Sequence, residues 1–154
     1  MKVKDVMTSS VRACFNSDNL ATVAQVMWDN DCGCVPVLNE AGWLVGMLTD
    51  RDICMAAFLQ GMPIGEIKVS AVMSRQLFDC TSDDDLSAAE QIMREKKVRR
   101  LPVLNKEGRL VGLLSLSDVA RQANEEYARG AANRQVTDAE VARLAADISK
   151  RRRD

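Results

Sequence analysis

The chain has 154 residues, 47% of them hydrophobic, and its 21 basic and 22 acidic side chains leave a formal net charge of -1. This length and hydrophobic content are enough to bury the core of one domain or of two small halves. The near-neutral charge excludes a chain-wide field that would hold nucleic acid or an acidic membrane surface. Any anion-binding site is therefore expected to be local.

The composition also argues against several classes of site. No apolar run reaches the length of a membrane span, and the N-terminus leads straight into patterned sequence, so we expect a cytoplasmic protein without a membrane partner. Histidine is absent and the five cysteines show no Cys-x-x-Cys spacing, which argues against a metal site and indicates reduced, mostly buried thiols. Without histidine, no base, nucleophile or metal set assembles into a catalytic site.

The sequence contains an internal repeat. The stretch Pro36-Val37-Leu38-Asn39 recurs as Pro102-Val103-Leu104-Asn105, an offset of 66 residues, and the match extends without gaps. So many shared positions at one offset indicate a duplication. Further matched pairs are Val3 and Val69, Met7 and Met73, Cys14 and Cys80, Leu20 and Leu86, Gly46 and Gly112, and Asp52 and Asp118.

In chain order, each half predicts the same elements. A short strand is expected at about 11–14 and again at about 77–80. A helix follows, capped by Ser17 in the first half and by Ser82 in the second, with its apolar residues on one face. Two compact apolar strands, joined by a turn that contains glycine, complete the small sheet.

A second helix closes each half, from about 50 to 60 and from about 117 to 129. The order β-α-β-β-α predicts an α/β fold. A half of roughly fifty residues can hardly bury its apolar face alone, so we expect two pseudo-symmetric repeats packed as one module. The expected boundaries are a first repeat at 3–58, a linker at 59–68, a second repeat at 69–129, and a tail at 130–154 that adds a C-terminal helix.

A hydroxyl and a carboxylate lie three residues apart at each predicted strand-to-helix junction. Thr49 and Asp52 form the first pair, and Ser115 and Asp118 form the second. Helix N-terminal amides favour a phosphate there, and the carboxylate can accept hydrogen bonds from ribose hydroxyls. The alternative is that both pairs are capping boxes that satisfy only their own helices. One residue can serve both roles, because a cap leaves other lone pairs free.

The order of elements, with Pro-Val before a glycine turn and a strand ending in Gly-φ-φ-Thr/Ser-x-x-Asp, resembles the CBS (cystathionine-β-synthase) domain family. The resemblance covers residues 3 to about 126. It implies a two-repeat, Bateman-type module that binds AMP, ADP, ATP, NAD or S-adenosylmethionine in clefts between repeats, with AMP or ATP expected first. It also implies a homodimer and an effector protein that the sequence does not identify.

The resemblance also assigns roles to further residues. Arg99 and Arg100, just before Leu-Pro-Val, match the basic pair that reaches ligand phosphates in the family. The first repeat has Cys32-Gly33-Cys34 instead, so the two clefts are expected to differ. Arg51 adds charge to one cleft, unless it and the arginine pair are ordinary solvated charges. The family implies that adenine lies near Val11, Leu77, Cys32 and Val98.

The tail predicts a further helix. Thr137 and Glu140 form a capping-box pattern, and Val141, Leu144 and Ile148 mark one apolar face. That face needs a partner, which is either its own module or a second copy. The basic end of the chain, Lys150-Arg151-Arg152-Arg153, is read as a solvated helix end rather than a nucleic-acid contact.

Two functions remain open from the sequence. The leading hypothesis is a regulatory, signal-transducing module that binds an adenine nucleotide and has no catalytic cofactor. The runner-up is a structural dimerisation adaptor whose hydroxyl-carboxylate pairs only cap helices. Binding of a nucleotide separates the two hypotheses.

Overall fold

The computed structural model describes residues 1–130 and 134–150. Within them, five α-helices and two three-stranded sheets follow the predicted α/β pattern. The helices and strands are β1 (Cys14–Phe15), α1 (Leu20–Asp29), β2 (Cys34–Leu38), β3 (Leu44–Thr49), α2 (Asp50–Gln60), β4 (Cys80–Thr81), α3 (Leu86–Lys96), β5 (Arg100–Leu104), β6 (Leu110–Ser115), α4 (Leu116–Ala128) and α5 (Asp138–Ser149).

The two sheets repeat each other strand for strand. The first has the order β1-β2-β3 and the second β4-β5-β6, with the first pair of strands parallel and the second antiparallel. Cys34 lies opposite Thr49 in the first sheet, and Arg100 lies opposite Ser115 at the same place in the second. The predicted duplication is therefore present in the fold as well as in the sequence.

The chain divides into two compact units. The first-repeat unit is Val11–Leu77, and the second-repeat unit combines Met1–Ser10 with the chain from Phe78 onward. The N-terminal segment joins the second-repeat unit through paired backbone hydrogen bonds between Thr8 and Leu113, at 3.0 and 2.9 Å. The segment that precedes the first repeat therefore belongs to the second-repeat unit, and the segment that precedes β4 of the second repeat belongs to the first-repeat unit.

Each unit buries one hydrophobic core, built from one face of its helices and the inner side of its sheet. The pattern of apolar residues three and four apart puts that face of each helix inside. In the first-repeat unit the fully buried residues are Leu20, Val23, Val35, Val37, Leu48 and Val69, and in the second-repeat unit they are Val3, Ala89, Met93, Leu101, Val103, Leu114 and Leu144.

Two local predictions were wrong. The first strand of each sheet is shorter and later than expected, because it begins at Cys14 or Cys80 and leaves Val11 and Leu77 outside it. Neither Ser17 nor Ser82 caps a helix. In the first repeat the Ser17 hydroxyl donates to Glu40 at 2.7 Å, since residue 17 lies in the turn before the helix.

The residue directly before each helix takes the capping position instead. Asn19 accepts the Thr22 N–H at 3.0 Å and begins α1. Asp85 precedes α3 without a side-chain cap bond. The early turns are closed by Asp18, which accepts the Phe15 N–H at 2.8 Å, and by Asp84 in the second copy. The capping position therefore comes two residues later than predicted in the first repeat and three residues later in the second.

Helix α5 packs on its own chain, which settles where its apolar face is covered. Thr137 caps it and forms the predicted capping box with Glu140. Leu144 and Ile148 are buried in the core of the second-repeat unit, and α5 contacts both α3 and α4. Residues 131–133 of the expected tail and residues 151–153 of its basic end lie outside the described residues.

Candidate functional site

Both predicted hydroxyl-carboxylate pairs form complete capping boxes. At the start of α2, Thr49 Oγ1 accepts the Asp52 N–H at 3.2 Å, and Asp52 Oδ2 accepts the Thr49 N–H at 2.9 Å. At the start of α4, Ser115 and Asp118 make the same two bonds at 3.2 and 2.8 Å. Capping therefore uses one carboxylate oxygen of each pair and leaves the other, Oδ1, to be accounted for.

The two Oδ1 atoms have different surroundings. Asp118 Oδ1 accepts the Thr8 hydroxyl at 3.1 Å and the Arg121 guanidinium at 2.7 Å, and Asp118 is only 5% exposed. Asp52 is partly exposed, and no group in the described part of the chain donates to its Oδ1. The second junction is thus filled by the chain's own donors, whereas the first has a carboxylate oxygen that faces no internal donor.

The difference traces to two substitutions between the copies. The residue that corresponds to Arg121 in the first repeat is Met55, which carries no donor. The residue that corresponds to Thr8 is Ser74, whose hydroxyl donates to the Gln76 carbonyl at 3.5 Å. Otherwise the two backbones match in register. The two junctions therefore share their backbone register and differ in the side chains around the carboxylate.

The predicted basic residues lie beside the junctions. Arg51 is exposed on the first turn of α2, next to Asp52 in sequence. Arg100 lies directly opposite Ser115, and the carbonyl of Arg99 accepts the N–H of Leu116 at 3.0 Å. The structure therefore brings Arg99 and Arg100 to the second junction, within the second-repeat unit, and leaves both side chains exposed.

The residues expected near adenine fall in both units. Val11, Leu77 and Cys32 belong to the first-repeat unit and are partly buried, and Val11 and Leu77 lie outside the strands. Val98 belongs to the second-repeat unit, where it packs against the hydrophobic core. Their role in binding adenine stays a prediction.

A pocket of about 390 Å³ opens between α1 and α2, and the sequence reasoning did not find it. Trp28 stands at its edge with 84% of its surface exposed. One feature of the sequence could have indicated the pocket: Trp28 occupies the position that Arg94 holds in the second repeat. The lining residues are Ala24, Met27, Trp28, Asp31, Cys32, Gly33, Asp50 and Ile53.

A second missed feature is an apolar stripe on the outer side of α2. Met55, Phe58 and Leu59 are 42%, 78% and 72% exposed, although such residues usually lie inside. They follow the i, i+3, i+4 spacing of one helical face, opposite the buried residues Ile53 and Ala56. That spacing was visible in the sequence, but only the structure shows which face of α2 the core uses.

The five cysteines differ in their burial. All five are free, with Cys14, Cys34 and Cys80 buried. Burial raises the pKa of the Cys14 and Cys80 thiols to about 12. Within residues 1–130 and 134–150, no three His, Cys, Asp or Glu side chains are grouped to hold a metal ion. In the same ranges, no helix combines the length and apolarity that crossing a bilayer requires.

Comparison with known proteins agrees with this architecture. The CBS domain family model matches residues 3–58 and 69–125. The chain is 36% identical over 130 residues to the CBS domain-containing protein YhcV of Bacillus subtilis (strain 168), covering 84% of this chain and 91% of that protein. The residues matched by the family model contain both junctions and both sheets, so the likeness to the family extends over the whole duplicated part of the fold.

Two solved structures share the fold and are at least 25% identical in sequence to this chain. Hypoxic Response Protein I, whose crystal structure holds two coordinated zinc ions, is 28% identical with a TM-score of 0.71, over 79% of this chain and 98% of that chain. The protein CBSX2, solved in complex with AMP, is 25% identical with a TM-score of 0.71, over 82% of this chain and 98% of that chain. The fold of this chain therefore matches nearly the whole length of both solved chains.

Proposed function

Because the chain belongs to the CBS domain family, we propose that it is a regulatory module that binds an adenine nucleotide, AMP or ATP first, and catalyses no reaction. The observation that carries the proposal is the first junction. There a helix N-terminus, a hydroxyl and an unoccupied carboxylate oxygen meet at Thr49 and Asp52. These are the groups that a sugar phosphate requires.

The chemistry of the first junction suits a nucleotide in two ways. The N-terminal turn of α2 and the exposed guanidinium of Arg51 favour a phosphate, because the helix dipole and the cation both attract negative charge. Asp52 Oδ1 can accept a ribose hydroxyl in a charge-assisted hydrogen bond while Oδ2 keeps its capping bonds. Binding therefore does not require the helix cap to be broken.

A relative supports the class of ligand. CBSX2, which has the same fold over nearly its whole length, was solved with AMP bound. AMP contains the phosphate, the ribose and the adenine that the first junction is proposed to recognise. We propose AMP or ATP as the ligand of this chain on that basis, with ADP, NAD and S-adenosylmethionine as the further candidates.

We propose that the two junctions are not equivalent and that the first binds the ligand. A ribose hydroxyl at Asp118 would have to displace Arg121 and the Thr8 hydroxyl from a carboxylate that is 5% exposed. At Asp52 it would displace only solvent. Arg99 and Arg100 lie at the second junction and supply positive charge there, without an available carboxylate beside them.

Regulation would follow from a difference in affinity. A ligand shifts a module between two states only by as much as it binds one state more tightly than the other. The signal would be passed on through a homodimer and through an effector protein that recognises one of the two states. For the homodimer we propose the outer stripe of α2, because Met55, Phe58 and Leu59 expose apolar surface that an isologous contact would cover.

The second candidate is an adaptor that binds no ligand, and one observation favours it. Both hydroxyl-carboxylate pairs are complete capping boxes, so helix capping alone accounts for their presence. An adaptor would dimerise through the same stripe and leave the first junction solvated. The two candidates differ in a single measurable property, the binding of nucleotide.

Isothermal titration with AMP, ADP, ATP, NAD and S-adenosylmethionine tests the proposal. We expect one binding event per chain for the preferred nucleotide and at least a tenfold loss of affinity in Asp52→Ala. Asp118→Ala is the matched control and should keep the affinity. Binding by no nucleotide, or undiminished binding by Asp52→Ala, would reject the site. In a thermal-shift panel, a ligand at one hundred times its Kd should add about 2.7 kcal/mol of stability.

A further inference from the structure

Asp50, the first residue of α2, places a carboxylate at the N-terminus of its own helix. Its Oδ1 accepts the Arg51 N–H at 2.7 Å, so an acceptor already occupies one of the amides that a phosphate would use. The Asp50 N–H donates to the Gly33 carbonyl at 3.2 Å. A phosphate group at the first junction therefore has to compete with the carboxylate of Asp50.

The position of this carboxylate depends on Gly33. A Cβ atom on Gly33 would lie 2.8 Å from Oδ2 of Asp50, which is closer than Cβ contacts in proteins, so a side chain there would displace Asp50. The second repeat has Arg99 at the position of Gly33 and Leu116 at the position of Asp50. At this place the first repeat therefore carries an acidic residue and the second repeat a basic one.

The pocket between α1 and α2 adds a second carboxylate on the same side of the helix. Asp31 and Asp50 both line it, and it shares Cys32 and the first turn of α2 with the proposed nucleotide site. In the second repeat, Lys97 stands at the position of Asp31. A ligand tail that extends from the first junction into this pocket therefore meets two carboxylates.

The first-repeat unit has few cations to offset these charges. Residues 11–77 include four basic and seven acidic residues, a net charge of -3 within a chain whose net charge is -1. Three of the four basic side chains donate hydrogen bonds elsewhere: Arg12 to Asn30, Lys68 to the Ser17 carbonyl and Arg75 to the Ser70 carbonyl. Arg51 is the basic residue of this unit that lies at the first junction.

We propose that Asp31 and Asp50 make the first junction selective for a nucleoside monophosphate over the triphosphate, so that the ligand is AMP rather than ATP. The inference rests on the proposed nucleotide site at Thr49 and Asp52 and names the ligand class of that site. ATP carries two more phosphate groups than AMP and therefore more negative charge. Arg51 can attract one phosphate, whereas further phosphates would be repelled by Asp31 and Asp50.

Isothermal titration of AMP, ADP and ATP into the whole chain tests the inference, with EDTA present so that no divalent cation neutralises the phosphates. We expect the affinity to fall in the order AMP, ADP, ATP, with ATP about tenfold weaker than AMP. Asp50→Asn keeps an acceptor for the Arg51 N–H and removes the charge, so it should reduce this difference to about threefold or less. An unchanged difference in Asp50→Asn would overturn the inference.

Asp29→Asn is the matched control. It removes the same charge from the first-repeat unit, but Asp29 accepts the Gln25 side-chain amide at 2.7 Å and does not line the pocket. We expect it to keep the full preference for AMP. If Asp29→Asn lost the preference as Asp50→Asn does, the net charge of the unit and not the named carboxylates would set the selectivity, and the inference would be wrong.

A second variant gives the first junction the residues of the second repeat. Asp31→Lys with Asp50→Leu places a cation in the pocket and removes both carboxylates. The backbone is compatible, because Asp31 and Lys97 share the left-handed conformation, with φ of 47° and 53°. We expect this double variant to bind ATP at least as tightly as AMP. A continued preference for AMP would contradict the role of the two carboxylates.

The salt dependence distinguishes charge repulsion from lack of space. Salt screens the interactions of exposed charges, so the difference in affinity between AMP and ATP should shrink as NaCl is raised from about 0.05 M to about 0.5 M. A pocket that excluded ATP by its size would give a difference that does not change with salt. That result would also overturn the inference.

The outcomes separate this inference from the nucleotide proposal itself. If ATP or S-adenosylmethionine binds the unmodified chain more tightly than AMP and Asp52→Ala abolishes that binding, the nucleotide site stands and the assignment of AMP is wrong. If none of AMP, ADP and ATP binds, the proposal of an AMP or ATP site fails and the inference fails with it.

Discussion

The guanidinium of Arg121 lies 2.7 Å from Oδ1 of Asp118, and this contact has no counterpart at Asp52, because Met55 stands in the place of Arg121. One motif therefore occurs twice with the same capping geometry and with different accessibility. In the second copy the chain has used the carboxylate to hold its own N-terminal segment through Thr8. In the first copy the carboxylate stays available.

Exchanging these residues should move the nucleotide site. In Arg121→Met with Thr8→Ala, Asp118 Oδ1 loses both donors, so we expect isothermal titration to report two nucleotides per chain instead of one. The converse change, Met55→Arg, places a guanidinium three residues after Asp52 and should weaken binding at the first junction about tenfold. An unaltered stoichiometry in the first variant would contradict the role of Arg121 and Thr8.

The two carboxylates should also differ in their contribution to stability. Asp52→Ala removes the carboxylate half of the capping box at the start of α2, which costs about 1 kcal/mol. Asp118→Ala removes the same cap and also leaves Thr8 and Arg121 without their acceptor, so we expect a further loss of about 1–2 kcal/mol. Urea denaturation of the two variants measures the difference. Equal losses would mean that the contacts of Thr8 and Arg121 add nothing to the fold.

Glu126 should give α5 a dependence on pH. The Val136 N–H donates to its carboxylate at 3.0 Å and holds its pKa below the ordinary 4.5, with help from Gln122 and the Gln135 N–H. A lowered pKa in the folded state means that this stabilisation is complete above about pH 5 and is lost as the pH falls through the folded-state pKa.

Replacement of Glu126 tests that dependence. We expect Glu126→Gln to lower the free energy of unfolding by about 1–2 kcal/mol at pH 7, because backbone N–H groups bind a carboxylate more strongly than an amide. Below pH 4 the difference from the unmodified protein should shrink. Urea denaturation at several pH values checks both statements, and a difference that is constant with pH would contradict the assignment.

The ionised carboxylate of Glu90 should affect stability in the opposite direction to that of Glu126. Burial raises the pKa of its carboxyl, and the negative charge of Glu140 raises it further. Glu140 itself stays ionised because the Thr137 hydroxyl and N–H lower its pKa. A raised pKa in the folded state means that the ionised Glu90 opposes folding at neutral pH and that stability increases as the pH falls through the raised value.

Glu90→Gln should therefore stabilise the protein. We expect a gain of about 0.5 kcal/mol at pH 7, in the range of partly exposed charge interactions, and a smaller gain at pH 4. Thermal denaturation of the variant and the unmodified protein at the two pH values measures both gains in stability. Ser87→Ala is a suitable control on the same helix, since it lines the same small cavity without a charge.

The cysteines should differ in reactivity. With pKa values of about 12, the buried thiols of Cys14 and Cys80 are thiolate in only about one molecule in ten thousand at pH 8. Cys54 is exposed on α2 and should be alkylated first. Mass spectrometry after brief treatment with iodoacetamide should find the label on Cys54 and none on Cys14 or Cys80 until urea is added.

Much of the fold was predictable because it depends on local chemistry. The bounds of α2 followed from the Thr49 capping box and the glycine after Gln60, and the sheets followed from the duplicated apolar runs. The cap predicted at Ser17 was wrong because Asp18 closes the preceding turn by accepting the Phe15 N–H, and Asn19 takes the capping position. Sequence alone does not rank two such adjacent polar residues.

The difference between the two junctions was not predictable for a different reason. It depends on Thr8 reaching Asp118 across 110 positions of sequence, which follows from the N-terminal segment joining the second-repeat unit. The side of α5 that packs on its own chain likewise depends on tertiary contacts with α3 and α4. The residue pattern predicted that the apolar face of α5 has a partner without choosing between its own module and a second copy, and it did not predict the contact between Thr8 and Asp118.

The N-terminal segment has a consequence for how the chain is made. Residues 1–10 are synthesised before the first repeat, yet the strand that they join, β6, is completed only after Ser115 has been added. Residues 11–77 have all their partners earlier and can fold while synthesis continues. Residues 1–10 therefore remain without their partner strand until residues 11–115 have been synthesised, and the second-repeat unit is completed after the first-repeat unit.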